Sequence, residues 1–412
     1  MALQNAQTVA LQLEKVRPKL PILYERDDTF FSLIQKRDVE RVSTRTARIP
    51  LQVMPGGAFG YASFDGGDLG RGSGTSYDFA QITPVGIRFA VEITKLVEYA
   101  TDASDKAIEN AAKRNVADAM KQFRRDLDAS LQTAGNGVFG TVLSVAGNVI
   151  TLADTPFGAR LVHDNQNVQV YDATLTTNRG TCTITAVTKT LGGPQTITVN
   201  AVPLGTLATD VLVVDGVSGA QPTFIYGIPY HQNSSTSGTW MGISRANPYA
   251  VANGVNASNA ALTLPPIRLA YNQIRQAIGA DGLGNLLWHA HPAQVAAYEQ
   301  LGFNINEVMT QGVNHDLDLL FKNKTLGGIK IKENIHADIA RMDLINLETW
   351  GRVEWLPIDY YEVGGATVFP VYGTSGGIAA SYLFYLVTGV QFFIDNPRSV
   401  SSITGLALPS GY

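Results

Sequence analysis

Apolar residues change their period several times along this chain, and each change marks a segment. Residues 6–24 are weakly periodic and broken by Pro18 and Pro21, which predicts an arm (1–40) with little core of its own. Within it, Asp28 opens a short helix, DTFFSLIQKRDV, with Phe31, Ile34 and Val39 on one side. From Arg41 the period becomes two: Val42, Thr44 and Thr46, then Ile49, Leu51 and Val53, alternate with polar or charged residues up to Pro55-Gly56-Gly57. Alternation resumes at Val85, Ile87, Phe89, Val91 and Ile93. Residues 41–94 therefore read as an extended two-stranded loop with a glycine-rich tip.

A helical period follows. Ile108, Ala112, Val116, Met120, Phe123, Leu127 and Leu131 recur three or four apart, Thr101, Asp102 and Ser104 are available as caps, and Gly135-Asn136-Gly137 ends the run. A helix over 102–134 would be a rod of about 45 Å. Arg124, Arg125 and Asp128 fall on its charged side, which predicts a wet face and a rod lying on a sheet within a segment 95–137.

Residues 138–216 turn Thr- and Val-rich and poor in charge. TVLSVAGNVITLAD is a hairpin turning at Gly147-Asn148, and CTITAVTKTLGGPQTITV is a second; VQVYDA and DVLVVDG add short strands. These predict a small all-β module, closed into a barrel or sandwich so that no edge is left open. Residues 217–262 are loop-rich. Thr263 is placed to cap a helix running to Ile278 before Gly279; NLLWHA is a buried strand; His291-Pro292 opens a helix ending at Gly302. GIKIKENI completes a mixed α/β segment, 217–340, and RMDLINL, RVEWLPI, TVFPVYG and SYLFYLVTGVQFF are strands of a returning segment, 341–412.

Composition narrows the function classes. With 45% hydrophobic and 16% charged residues the chain is globular, and its net charge of −4 makes no strong electrostatic call on nucleic acid or membrane. Residues 1–50 hold nine Lys+Arg against six Asp+Glu and so carry +3, leaving −7 for the remainder. Cys182 is the single cysteine, which excludes an internal disulfide and a cysteine metal cluster. The start has no signal-peptide pattern and no run is apolar enough for a spanning helix, so a protein made in the cytosol is expected.

The stretch GGDLGRGSGTS, with Gly66, Gly67, Gly70, Arg71, Gly72 and Gly74, looks first like a phosphate cradle. A Walker loop needs Lys-[Ser/Thr] after the second glycine, where Ser73-Gly74 stand, and a dinucleotide loop needs a third glycine where Thr75 stands. Both motifs open a helix, and here a strand follows, so the stretch reads as a pliable hairpin tip. His289 and His291 share a strand face but lack a third metal ligand, since His231, His315 and His336 are remote; His291 reads instead as a cap of the next helix. Asp316 and Asp318 read as solvated, and no nucleophile elbow is present. No catalytic residue, metal or cofactor is expected.

Element order says more than any motif. An arm, a long loop, a spine helix, an α/β segment and late returning strands, with TWGRVEWLPIDYYEVGG through LFYLVTGVQFFIDNPRS near the end, resemble the major capsid protein of tailed bacteriophages. The resemblance spans all but 138–216, which reads as an inserted β-domain. It implies an α+β capsid fold: N-terminal arm, extended loop, peripheral domain on the spine helix, and axial domain over 217–340. It also implies self-assembly of many copies, as hexamers and pentamers, into an icosahedral virion shell around double-stranded DNA, with non-specific DNA contact and scaffold, portal and decoration proteins as partners, and no membrane. No scaffolding-like region precedes Met1, which implies either a separate scaffold or a chain that starts after processing, and Met1 argues against the latter. An encapsulin-like compartment and a phage tail or surface-binding β-protein are the alternatives.

Overall fold

The structure, a computed structural model, describes residues 29–38, 46–61, 65, 67, 70–94, 108–189, 195–279, 284–309, 325–326, 329–373 and 376–409. The expectations for residues 1–28, Val39 to Arg45, Gly66, His315, Asp316 and Asp318 lie outside these.

Alternation over the first strand is real: β1 (Ala47–Met54) pairs antiparallel with β2 (Ser76–Ile82), Ala47 opposite Ile82 and Pro50 opposite Phe79. The expected two-stranded loop over 41–94 is corrected here. The run at Val85 is a third strand, β3 (Val85–Thr94), and belongs to another sheet. Pro84, between the two, has no N–H to continue a ladder. The signal of β2 was easy to miss, because only Ala80 and Ile82 are buried while Tyr77 and Phe79 face out.

Helix α1 (Ile108–Leu131) buries Phe123, Leu127 and Leu131 as its stripe predicted. Its charged side is wet only in part: Lys121 is exposed, but Arg125 and Asp128 are buried. Two distant segments cover them. Ala129 packs into the core of the following β-module, and the arm residues Phe30 and Phe31 donate their N–H groups to Asp128. Helical spacing identifies a charged face, but only tertiary packing decides whether water reaches it.

That module is a closed barrel of β4 (Val138–Ala146), β5 (Val149–Leu152), β6 (Asn167–Tyr171), β7 (Asn178–Thr188), β8 (Gln195–Val199) and β9 (Val211–Val214), in the order β4-β5-β8-β7-β6-β9. Gly147 takes φ 60° at the β4–β5 turn, where a residue with Cβ would be strained. Val168, Val170, Cys182, Ile184, Ile197 and Val199 fill the interior, and burial pushes the Cys182 thiol up to about 11.

The rest of the chain makes two sheets. After the small hairpin β10 (Thr239–Trp240) and β11 (Ile243–Ser244) come β12 (Asn253–Ala260), α2 (Leu264–Ile278), β13 (Leu286–Ala290), α3 (Pro292–Met309), β14 (Thr325–Leu326), β15 (Ile329–Glu333) and β16 (Met342–Asn346). Then follow β17 (Trp350–Tyr360), β18 (Phe369–Tyr372), β19 (Ile378–Ile394) and β20 (Ser401–Leu406). One sheet has six strands, β12-β20-β16-β13-β15-β14, and every residue of β13 is buried, as its unbroken apolar run predicted. In the other, β19 carries β3 along one edge and β17 and β18 along the opposite edge.

Three local expectations are corrected. Thr263 precedes α2 without a side-chain cap bond, and prolines occupy the first turn instead. Helix α3 continues through Gly302 to Met309, since one helical glycine costs only about 1 kcal/mol and does not oblige a stop. The described part of the arm does have a core: Phe30, Phe31 and Ile34 are buried with Trp350 and Phe392, and Lys36 forms a parallel bridge with Arg352.

Candidate assembly surface

The residues expected at the tip, Gly67, Gly70, Arg71, Gly72 and Gly74, are exposed between β1 and β2. Gly57 N donates to Ser73 O at 2.7 Å, drawing the two glycine runs together. A Cβ on Gly72 would meet Gly57 Cα at 3.3 Å, and one on Gly56 would lie 2.7 Å from Thr75 N. Gly56 is therefore required by close approach, a role that sequence reasoning missed because it read Gly56 only as a strand boundary. Gly70 takes φ 71°. Arg71 has no bonded or ionic partner among the described residues. The element that follows is β2, not a helix, so no helix N-terminus is present to hold a phosphate.

Below the tip, the hairpin has two unlike faces. Ala47, Ala80 and Ile82 are buried at its root, while Met54, Tyr77 and Phe79, and near the tip Phe59 and Tyr61, are exposed. The Arg48 guanidinium lies 4.5 Å over the Phe79 ring.

The root is clasped by the loop over 239–250. Gln81 N donates to Met241 O at 2.8 Å, and Tyr249 Oη donates to Asp78 Oδ2 at 2.8 Å. Met241 N in turn donates to Tyr230 Oη at 2.8 Å. Trp240 Nε1 donates to His231 Nδ1 at 3.2 Å, which leaves His231 Nε2 to donate to Phe392 O at 3.2 Å. Burial drives His231 down to about 3, so it is neutral. Arg245, also buried, donates to the carbonyls of Tyr230, Asn233 and Ala250. A groove of about 220 Å³, lined by Asp78, Phe79, Met241 and Ser244, opens beside the clasp.

The other candidates resolve separately. Ala293 N donates to His291 Nδ1 at 3.2 Å, so His291 caps α3, and burial drives it down to about 3. His289 lies deep in β13 and His336 beside Asp128. Among the described residues, no three His, Cys, Asp or Glu side chains are grouped to hold a metal ion, and no helix is long and apolar enough to cross a membrane. Arg125 pairs with Asp126 at 3.2 Å inside the fold and does not offer itself to phosphate.

No protein-family model and no curated protein matches the chain. Solved structures do. The protein of the cyanophage A-1(L) capsid asymmetric unit is 16% identical, with 95% of this chain and 96% of that chain covered, at TM-score 0.56. The capsid protein of the native GTA particle is 10% identical, with 98% and 100% covered, at TM-score 0.51. The holo-SrpI encapsulin of Synechococcus elongatus PCC 7942 is 9% identical, with 100% and 99% covered, at TM-score 0.45. The first two carry the conclusion: this chain has the mixed α+β fold of phage-type capsid proteins.

Proposed function

We propose that the chain is the repeating subunit of an icosahedral virion shell that encloses double-stranded DNA. The observation that carries this reading is the hairpin. It leaves the body with Met54, Phe59, Tyr61, Tyr77 and Phe79 exposed, and a two-stranded ribbon alone is marginal in water. A neighbouring copy supplies the missing cover, with Arg71 reaching a carboxylate there. The left-handed glycines let the tip bend as the subunit sits in hexamers and pentamers. The barrel is an insertion after the spine helix, carried as a separate module. The work is mechanical and not catalytic. Scaffold, portal and decoration proteins and non-specific contact with DNA complete the setting; the subunit is made in the host bacterial cytoplasm and ends in the virion.

The test is electron microscopy of purified protein after co-expression with its scaffold, with nucleic-acid content read from absorbance. Closed shells containing DNA are expected. Shells holding protein cargo would transfer the reading to a compartment of the encapsulin kind, and monomers or small oligomers under all conditions would sink it.

A further inference from the structure

The described N-terminal segment lies as an apolar lid on a polar floor. Phe30, Phe31 and Ile34 are buried, and the Phe30 ring sits 5.3 Å from both Trp350 and His289. One carboxylate fastens it. Asp128 Oδ1 accepts from Phe30 N at 2.8 Å and from Phe31 N at 2.7 Å. Asp128 Oδ2 accepts from Asn334 Nδ2 at 2.7 Å, and Asn334 N donates to Ala290 O at the end of β13. A single side chain on α1 thus ties the arm to the six-stranded sheet.

The floor is not satisfied. His289 is 1% exposed, and neither of its ring nitrogens has a hydrogen-bond partner among the described residues. A neutral imidazole has one donor and one acceptor to satisfy, and water would supply both if the lid lifted. We infer that residues 29–37 form a proton-linked latch: lifting the Phe30–Phe31 turn off Asp128 hydrates His289, so acid favours the lifted state. The inference concerns one subunit and stands whether or not the chain forms shells.

Few charges face His289. Helix α1 contributes Asp128, and the turn after β15 contributes His336, 3.8 Å from Asp128 Oδ2. Across the ladders stand Asp343 of β16 and Lys332 of β15, the latter exposed. Arg341 holds Asp343 at 2.7 Å, and burial raises the Asp343 carboxyl to about 6 against the pull of Arg341. The lid's own charges, Lys36 and Arg37, are paired with Glu354 and Asp395 beyond the Phe30–Phe31 turn, and Trp350 brings none. Burial is the largest influence on His289 and pushes it down to about 4, with Asp128 opposing and Arg341 reinforcing. In the lifted state it returns toward its ordinary value of about 6.5. Between these values the open state takes up a proton that the closed state refuses. Going from pH 7 to pH 5 then raises the opening constant about 20-fold.

Hydrogen–deuterium exchange on the full chain at pH 7 and pH 5, corrected for intrinsic rates, tests this. Peptides covering 29–38 are expected to open more readily than β13 at pH 7 and to gain about 20-fold at pH 5. The gain should vanish in His289→Gln. Exchange of 29–38 in step with β13, no acid gain in the native chain, or an acid gain that survives His289→Gln would each overturn the latch. If His289→Gln does not fold, the native chain alone decides.

Discussion

The barrel and the hairpin are both all-β excursions from the same body, and they solve the problem of exposed strand edges in opposite ways. The barrel closes: each of its strands is hydrogen-bonded on both sides, and its apolar residues point inward. The hairpin stays open: above the bond from Gln81 to Met241 its edges have no strand partner among the described residues, and its large aromatics lie outside. A closed module has no open strand edge to cover, although this one still packs on the body through Ala129 of α1. An open one leaves strand edges free for a partner, so closed and open edges lie in different parts of one chain.

Nature of the probes makes this contrast measurable. All four tryptophans lie outside 138–216, and the only cysteine lies within it. Tryptophan fluorescence therefore follows the body and Cys182 labelling follows the barrel. The largest expected effect is acid. His231 and His291 are held neutral in the fold near 3, so above pH 6.5 they cost nothing, and as pH falls the unfolded chain binds protons that the native body refuses. From pH 6.5 to 4.5 each removes about 2 kcal/mol, or about 4 together. In the barrel, His163 goes the other way. Burial pulls it down, but its bond and attraction to Asp126 hold it above its usual value, so acid does not weaken it. Denaturant melts at the two pH values should show the tryptophan signal shifting first. A coincident loss of Cys182 protection would erase the distinction.

Next in size is a pair of substitutions. Ile150→Ala should cost the barrel about 2–5 kcal/mol by labelling at Cys182 and leave shells forming. Phe79→Ala should change the isolated subunit by less than about 0.5 kcal/mol and yet remove shells from micrographs. If Phe79→Ala unfolds the subunit, the hairpin is core and not arm. The smallest effect is at the clasp: Tyr249→Phe deletes the bond to Asp78, about 1 kcal/mol, and should raise amide exchange in β2 without moving the tryptophan melt.

Where pattern and environment agree, the sequence was readable. The β4–β5 turn, the buried run of β13 and the apolar stripe of α1 were all legible, because each is a local period with a local stop. What failed depended on partners far along the chain. Arg125 and Asp128 read as wet because the residues that cover them come from the arm and the barrel. Strand β2 hid behind glycines, and its outward aromatics masked the alternation that Ala80 and Ile82 complete. Strands β12 and β20 went unread, one polar and one rich in serine, and they pair in parallel across more than a hundred intervening residues. At the candidate surface, the glycines stood out by composition, but the crowding at Gly56 exists only once the two runs face each other.

The barrel joins the body through a neck in which Val138 pairs with Val213 and Val214 N donates to Gly137 O at 3.0 Å. Incoming and outgoing chain are thus about 4.8 Å apart, one strand spacing. Such a socket lets a module be exchanged without redirecting the flanking chain, although losing it would uncover Arg125 and Ala129 of α1. The same socket is a grafting point: any foreign domain whose termini lie side by side would be displayed there once per subunit.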